Sequence, residues 1–357
     1  MTALVQAWTE LSRAAKARAL LLSLVVGLVL SFGAALAIGV VSVPASALFT
    51  ILSSLFSGAS LEGVPERVFV AIRLPRALMA VLTGAGLGAA GAAMQGLFRN
   101  PLADPGLMGV TAGASLAAAL MIVVVGDQAV AVAPGTFGLF LLPTAAFLGA
   151  LGATSLIWGF AQRGGAVRLT TLLLAGIAVN TVAFAGVGFL TYIATDVQLR
   201  ELTSWNLGSM NGATWGGVLC SAPFVLGCVL ALPRMARALN ALSLGEEDAG
   251  FLGVDVERTK RIVLVLVALG AGASVAFTGA IGFIGLVVPH LVRLAVGPDH
   301  RTLLPCSALL GAILLTLADT FARVVAAPSE LPVGVVTALL GAPFFLWLLR
   351  AARRGEA

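Results

Sequence analysis

Charge is what this chain has least of. Across 357 residues only 10% are Asp, Glu, Lys or Arg, against about 25% in soluble proteins. Lysine occurs twice, as Lys16 and Lys260, and neither follows a glycine or precedes Ser or Thr. A GxxxxGKS/T phosphate loop is therefore excluded, and with it ATP hydrolysis by that route. Histidine also occurs twice, as His290 and His300, with no HExxH, paired-carboxylate or GxSxG arrangement, which argues against an intramembrane enzyme. Cys220, Cys228 and Cys306 form no CxxC and no metal-ligand spacing, so they read as packing residues. Acids are scarce where an ion-coupled carrier needs them: only Asp104 and Asp319 approach the apolar runs. Asp104 reads as an N-cap for the third helix, and Asp319 as a partner for Arg323 four residues on.

What is present is apolar. Hydrophobic residues make up 59% of the chain and the mean hydropathy is +1.06, which excludes disordered, disulfide-rich secreted and ordinary cytosolic classes. Reading apolar runs against charged and Gly/Pro breaks predicts an all-α polytopic membrane protein, one transmembrane domain over 1–357. Its helices are expected near 20–42, 72–94, 106–126, 139–161, 169–192, 215–232, 261–281, 282–297, 303–325 and 332–350. The first run follows Arg13, Lys16 and Arg18 but is too long for a signal peptide, so a retained helix is expected. With both ends placed inside, all cations but Arg67, Arg73, Arg76, Arg200 and Arg323 fall on the inner side. That asymmetry sets topology, and it accounts for the pI of 9.8 without nucleic acid. Trp205, Trp215, Trp158 and Trp347 sit near helix ends, as an aromatic belt would. Gly84, Gly88 and Gly91, with Gly176, Gly186, Gly270, Gly272 and Gly279, suit close helix packing or hinges.

Between the sixth and seventh helices lies the longest inner loop, 233–261, with Glu246, Glu247 and Asp248 ahead of Ala249, Gly250, Leu252 and Gly253. Such a segment forms a short acidic-led helix ending at glycine. Pro101 and Pro105 forbid a continuous helix between the second and third spans.

Six stretches occur in order: RLPR at 73–76, MQGLFRNPLADPGLMGVTAGA at 94–114, LLLAG at 172–176, LGEEDAGFLGV at 244–254, GAIGFIGLVVPHLVR at 279–293 and SELPVGVVTALLGAPFFLWLL at 329–349. In combination they resemble the FecCD-type permeases of type II ABC importers, which take up haem, iron-siderophores and cobalamin. The resemblance covers residues 20–350. It implies a homodimer in the bacterial inner membrane, in contact with lipid, with two ATP-binding cassette subunits and a periplasmic binding protein. It implies no cofactor in this chain, with ATP and Mg held by the partner ATPase.

The resemblance also implies roles for particular residues. Leu244, Gly245, Glu246, Glu247, Ala249, Gly250, Leu252, Gly253 and Val254 would form a coupling helix that docks into the ATPase. Arg73, Arg76 and Arg323 would meet acidic residues of the binding protein. Leu169 and Thr170 would lie at a cytoplasmic gate, although RLTT before LLLAG is a poor local match to the family. Asn180, a lone amide in an apolar helix, needs either a wet pathway or a hydrogen bond to a neighbour. The stretch QGLFRNPLADPGL looks most like the haem branch, with a ferric siderophore or cobalamin as the alternative cargo. A secondary carrier working alone, or a structural scaffold, would leave the charged inner loop without a role.

Overall fold

The computed structural model describes residues 12–39, 67–126 and 138–353. Apolar runs close into helices because the bilayer core offers backbone N–H and C=O groups no partners other than one another. The order begins with α1 (Arg13–Ala37), then a π-helical turn (Phe69–Arg73) running into α2 (Leu74–Phe98). A 3₁₀ turn (Pro105–Met108) leads into α3 (Val110–Leu120), which ends in a second π turn (Met121–Val125). Next come α4 (Gly138–Ala161), a hairpin of β1 (Gln162–Arg163) and β2 (Ala166–Val167), α5 (Leu169–Ile193), α6 (Asp196–Asn206) and α7 (Trp215–Ala231). The chain continues through α8 (Ala236–Leu242), α9 (Glu246–Phe251), α10 (Val256–Thr278), α11 (Ile284–Val296), α12 (His300–Val325) and α13 (Val333–Arg353).

Among the described residues, 7 helices are long and apolar enough to cross a membrane. The shorter apolar helices Val110–Val125, Ile284–Val296 and Val333–Leu346 complete the ten segments expected from the sequence. The boundaries move for local reasons. Ser12 caps α1 by accepting from the Ala15 N–H, so the helix starts well before the apolar run. Its end lies at Ala37, and residues 40–42 of the expected helix fall outside the described residues. α2 runs on to Phe98 and stops where Arg99 adopts a left-handed conformation (φ 50) ahead of Asn100-Pro101. Asp104 does cap, but what it caps is the 3₁₀ turn: its Oδ1 accepts from the Gly106 N–H at 2.7 Å, and Gly109 (φ 79) then opens α3. Asp255 caps α10, which begins at Val256 instead of 261. α6 was not expected; Thr195 and Gln198 form a reciprocal capping box at its start.

α2 is the hub, packed against α12, α10, α11 and α7. Its glycines are there for backbone approach: a Cβ on Gly84 would strike the backbone of Gly311, one on Gly88 the Ser307 carbonyl, and one on Gly91 the backbone of Gly285. Gly113 of α3 and Gly149 of α4 meet in the same way. By contrast α1, α4 and α5 bury little of their length and turn apolar side chains outward. Cys228 and Cys306 are buried and Cys220 exposed, all three as free thiols. Trp158 and Trp215 donate to Gln162 Oε1 and the Val70 carbonyl; Trp205 is half-buried, and the Trp347 side chain falls outside the described residues.

The two ends of the bundle differ. One carries the start of α1, the end of α2, the hairpin, and the whole stretch from α8 to the start of α10; it is called the loop end below. The other joins the end of α1, the start of α2, the end of α12 and the segment before α13. At the loop end Asp299 caps α12. Burial works against its charge, but the Arg301 N–H and the Asn240 amide hold its carboxyl below the usual carboxylate range.

Candidate functional site

At the loop end, three turns of chain build a projecting knuckle. α8 closes at Leu242, which is buried, and Gly245 (φ 145) turns the chain into α9. Glu246, Glu247 and Asp248 occupy the first turn of α9, where carboxylates complement the exposed N–H groups. Gly253 (φ 80) and the Val254 N–H, which bonds to the Ala249 carbonyl at 3.0 Å, close its far end. Ala249 is fully buried and anchors the knuckle to the core, while Glu247, Gly250 and Gly253 face solvent and Val254 is half-buried. Three apolar side chains are left bare: Leu244 at 65% exposure, Leu252 at 64% and Phe251 at 89%. Phe251 is the most exposed large hydrophobic among the described residues, and the sequence reading passed over it. Phe251 thus stands uncovered beside two exposed leucines, on a charged end of a membrane protein.

Behind the knuckle the chain is tied inward. Lys260, on the first turns of α10, is only 2% exposed. Its Nζ donates to Glu246 Oε2 of α9 at 2.7 Å, to Glu257 Oε1 at 2.9 Å and to the Val167 carbonyl of β2 at 3.0 Å. Glu257 Oε2 in turn accepts from the Val167 N–H at 2.7 Å. These groups border a cavity of about 670 Å³ whose other walls include Arg99, Arg168, Leu169 and Thr170. Two gate candidates and one carboxylate of the expected coupling helix thus share a single cavity, although 76 positions separate Thr170 from Glu246 in the sequence. Asn180, the third pathway candidate, lies deeper in α5. Its Nδ2 donates to the Gly106 carbonyl at 3.1 Å, so the neighbour that it needs is the broken segment between α2 and α3.

At the opposite end the structure corrects the sequence reading of the three arginines. Arg73, Arg76 and Arg323 are 4%, 5% and 6% exposed, so none of them presents a charge to a docking partner. Their work is internal. The last four carbonyls of α1 have no partners within that helix. The Ile38 N–H takes Ala34, Arg323 Nη2 takes Ala35 at 3.0 Å, and Arg73 Nη1 takes Leu36 at 2.8 Å and Ala37 at 3.2 Å. Arg76 pairs with Asp319 at 2.8 Å and with Glu330 at 2.8 Å, and Asp319 also lies 3.4 Å from Arg323 Nε, the expected i,i+4 pair. Among the described residues, exposed charge at this end includes Asp196, Arg200 and Glu201 of α6, with Arg67 and Glu330. Among the described residues no group of three or more His, Cys, Asp or Glu is placed to hold a metal ion.

The site is thus a knuckle with a bare apolar tip, tied to a cavity beside a transmembrane helix, on a chain without a GxxxxGKS/T motif. Comparison with known proteins gives the family. The FecCD transport family model matches residues 24–351. The chain is 48% identical over 287 residues to the hemin transport system permease protein HmuU of Yersinia pestis, covering 80% of this chain and 84% of that one. It is 45% identical over 291 residues to the cobalamin import system permease protein BtuC of Halobacterium salinarum, covering 81% and 75%. A solved structure described as an inward-facing conformation of a metal-chelate type ABC transporter is 33% identical, with a TM-score of 0.80 over 92% of this chain and 98% of that one. The chain belongs to the FecCD transport family, and is the multi-pass inner-membrane permease subunit of an ABC importer.

Proposed function

We propose that two copies of this chain form the transmembrane pathway of a haem importer, with one ATP-binding cassette subunit docked on each α9 and a periplasmic binding protein delivering the ligand. The observation that carries the ATPase reading is the knuckle itself: Phe251, Leu252 and Leu244 stand uncovered over a buried Ala249. The loop end is read as the cytoplasmic one, because most of the cations of the sequence, all but five of 21, fall on that side. ATP and Mg then belong to the partner, and closure of the partner pushes α9 and alternates access between the two faces.

At the periplasmic end α6 is the docking surface favoured here, with its exposed Arg200 and Glu201 available for charge pairing. The pathway is expected along α5, near Leu169, Thr170 and Asn180, at the interface between the two copies. Identity to HmuU and the QGLFRNPLADPGL stretch support haem as cargo. The near-equal identity to a cobalamin permease supports cobalamin as the second reading, with a ferric siderophore behind it.

The test is reconstitution of this chain with its ATPase in liposomes, with the binding protein added in haem-loaded, cobalamin-loaded or siderophore-loaded form. Hydrolysis stimulated by the haem-loaded form, with haem accumulating in the lumen, is the expected result. Stimulation by another cargo alone removes haem and keeps the mechanism.

A further inference from the structure

A buried lysine is costly unless its charge is paired and its donors are all used. Lys260 meets that requirement with partners from three separate elements, and its position suggests why it is retained. Lys260 and Glu257 stand three residues apart on one face of α10 and grip the same backbone unit: Glu257 accepts the Val167 N–H and Lys260 donates to the Val167 carbonyl. Val167 is 3% exposed and lies two residues before the first residue of α5. The third ammonium proton goes to Glu246, the first residue of α9. One side chain therefore fastens the coupling knuckle to the strand that feeds the gate helix.

We infer that Lys260 is a positioning residue for transport. It makes α9, the hairpin and the start of α5 move as one body, so that a push on α9 reaches Leu169 and Thr170 instead of being absorbed in the loops. The loops at risk of absorbing it are visible. Gly245 and Gly253 flank α9, and Gly164 and Gly165 form the hairpin turn, all with positive φ. Without a tie, four glycines lie on the two segments that must transmit the displacement. The inference rests on the importer reading above, and it adds the residue through which drive and gate are joined.

The test uses the assembled importer in liposomes and reads ligand moved per ATP hydrolysed. Lys260→Met keeps the side-chain volume and removes the charge. Ligand moved per ATP is expected to fall about tenfold, within the ordinary range of coupling energies, while hydrolysis and ATPase association stay within about threefold of wild type. Lys260→Arg, which keeps charge and donors, is expected to recover most of the loss; a merely space-filling role would be served as well by methionine. Should Lys260→Met fail to fold, Glu257→Leu removes the acceptor of the Val167 N–H, leaves α9 and its bond to Lys260 in place, and is expected to give the same uncoupling.

A second readout needs no ATPase. Spin labels at Gly250→Cys and Ala166→Cys, in a full chain whose native cysteines are replaced, report the distance between knuckle and hairpin. A narrow distribution that broadens in Lys260→Met supports the tie. Wild-type ligand per ATP in the folded Lys260→Met importer, or an unchanged distribution, overturns it. If the wild-type chain neither binds an ATPase nor moves ligand, the importer reading fails, and the spin-label distances still decide whether the tie exists.

Discussion

Arg76 and Asp319, 243 residues apart, form a buried pair in which Nε and Nη2 of the arginine lie 2.8 to 3.1 Å from the carboxylate. Both side chains are interior, at 6% and 2% exposure. Glu330 takes the remaining Nη1, so one guanidinium joins α2, α12 and the segment ahead of α13. Removing one partner of such a pair leaves a desolvated charge behind. Arg76→Met is expected to destabilise the folded chain by about 3–5 kcal/mol. Thermal unfolding in detergent measures this, and the double variant Arg76→Met/Asp319→Asn is expected to lose less than the two single losses added together. Additive losses would mean that the pair is not coupled.

Close approach of α2 and α12 makes a sharper contrast. Gly84→Leu places a side chain against the Gly311 backbone, which cannot move aside, and a loss of about 1–3 kcal/mol or more is expected. Gly188→Ala on α5 has nothing within 4 Å of its new Cβ and is expected to be nearly neutral or slightly stabilising. Equal melting shifts for the two would contradict the packing account.

At the end opposite the loop end, exposed and buried charges are expected to act differently. Arg200→Glu is expected to weaken docking of the binding protein, most at low salt, and to leave stability unchanged. Arg323→Met is expected to do the reverse: it strips a donor from the Ala35 carbonyl and lowers stability, with docking intact in whatever folds. Binding-protein titrations on the two folded variants at two ionic strengths check this. A docking defect in Arg323→Met alone would restore the surface role that burial removes.

Legibility followed the physics of each feature. Helices such as α4 and α5 lay within a residue or two of their expected bounds, because long apolar runs between charged breaks admit one solution in a bilayer. The acidic-led helix at 246–251 was visible from local composition. α6 escaped because it is amphipathic and only 11 residues long, though its Thr195 and Gln198 capping pair was there to be read. Burial of Arg73, Arg76 and Arg323 was not legible, since their acceptors lie on other helices or are bare carbonyls at the end of α1. Lys260 showed its spacing to Glu257 but not Val167 or Glu246, which come to it through the fold. Phe251 was hidden inside a motif whose glycines and acids drew attention first.

The most direct test is Phe251→Asp, which leaves α9 and its buried Ala249 in place and charges only the bare tip. The measurement is ATPase co-purification and ligand-stimulated hydrolysis by the reconstituted complex, alongside the melting temperature of the isolated chain. The account expects an unchanged melting temperature, with association and stimulated hydrolysis reduced by about tenfold or more, as for an interface anchor. Full association and wild-type stimulation in the folded Phe251→Asp chain would contradict the assignment of α9 as the surface through which this permease is driven.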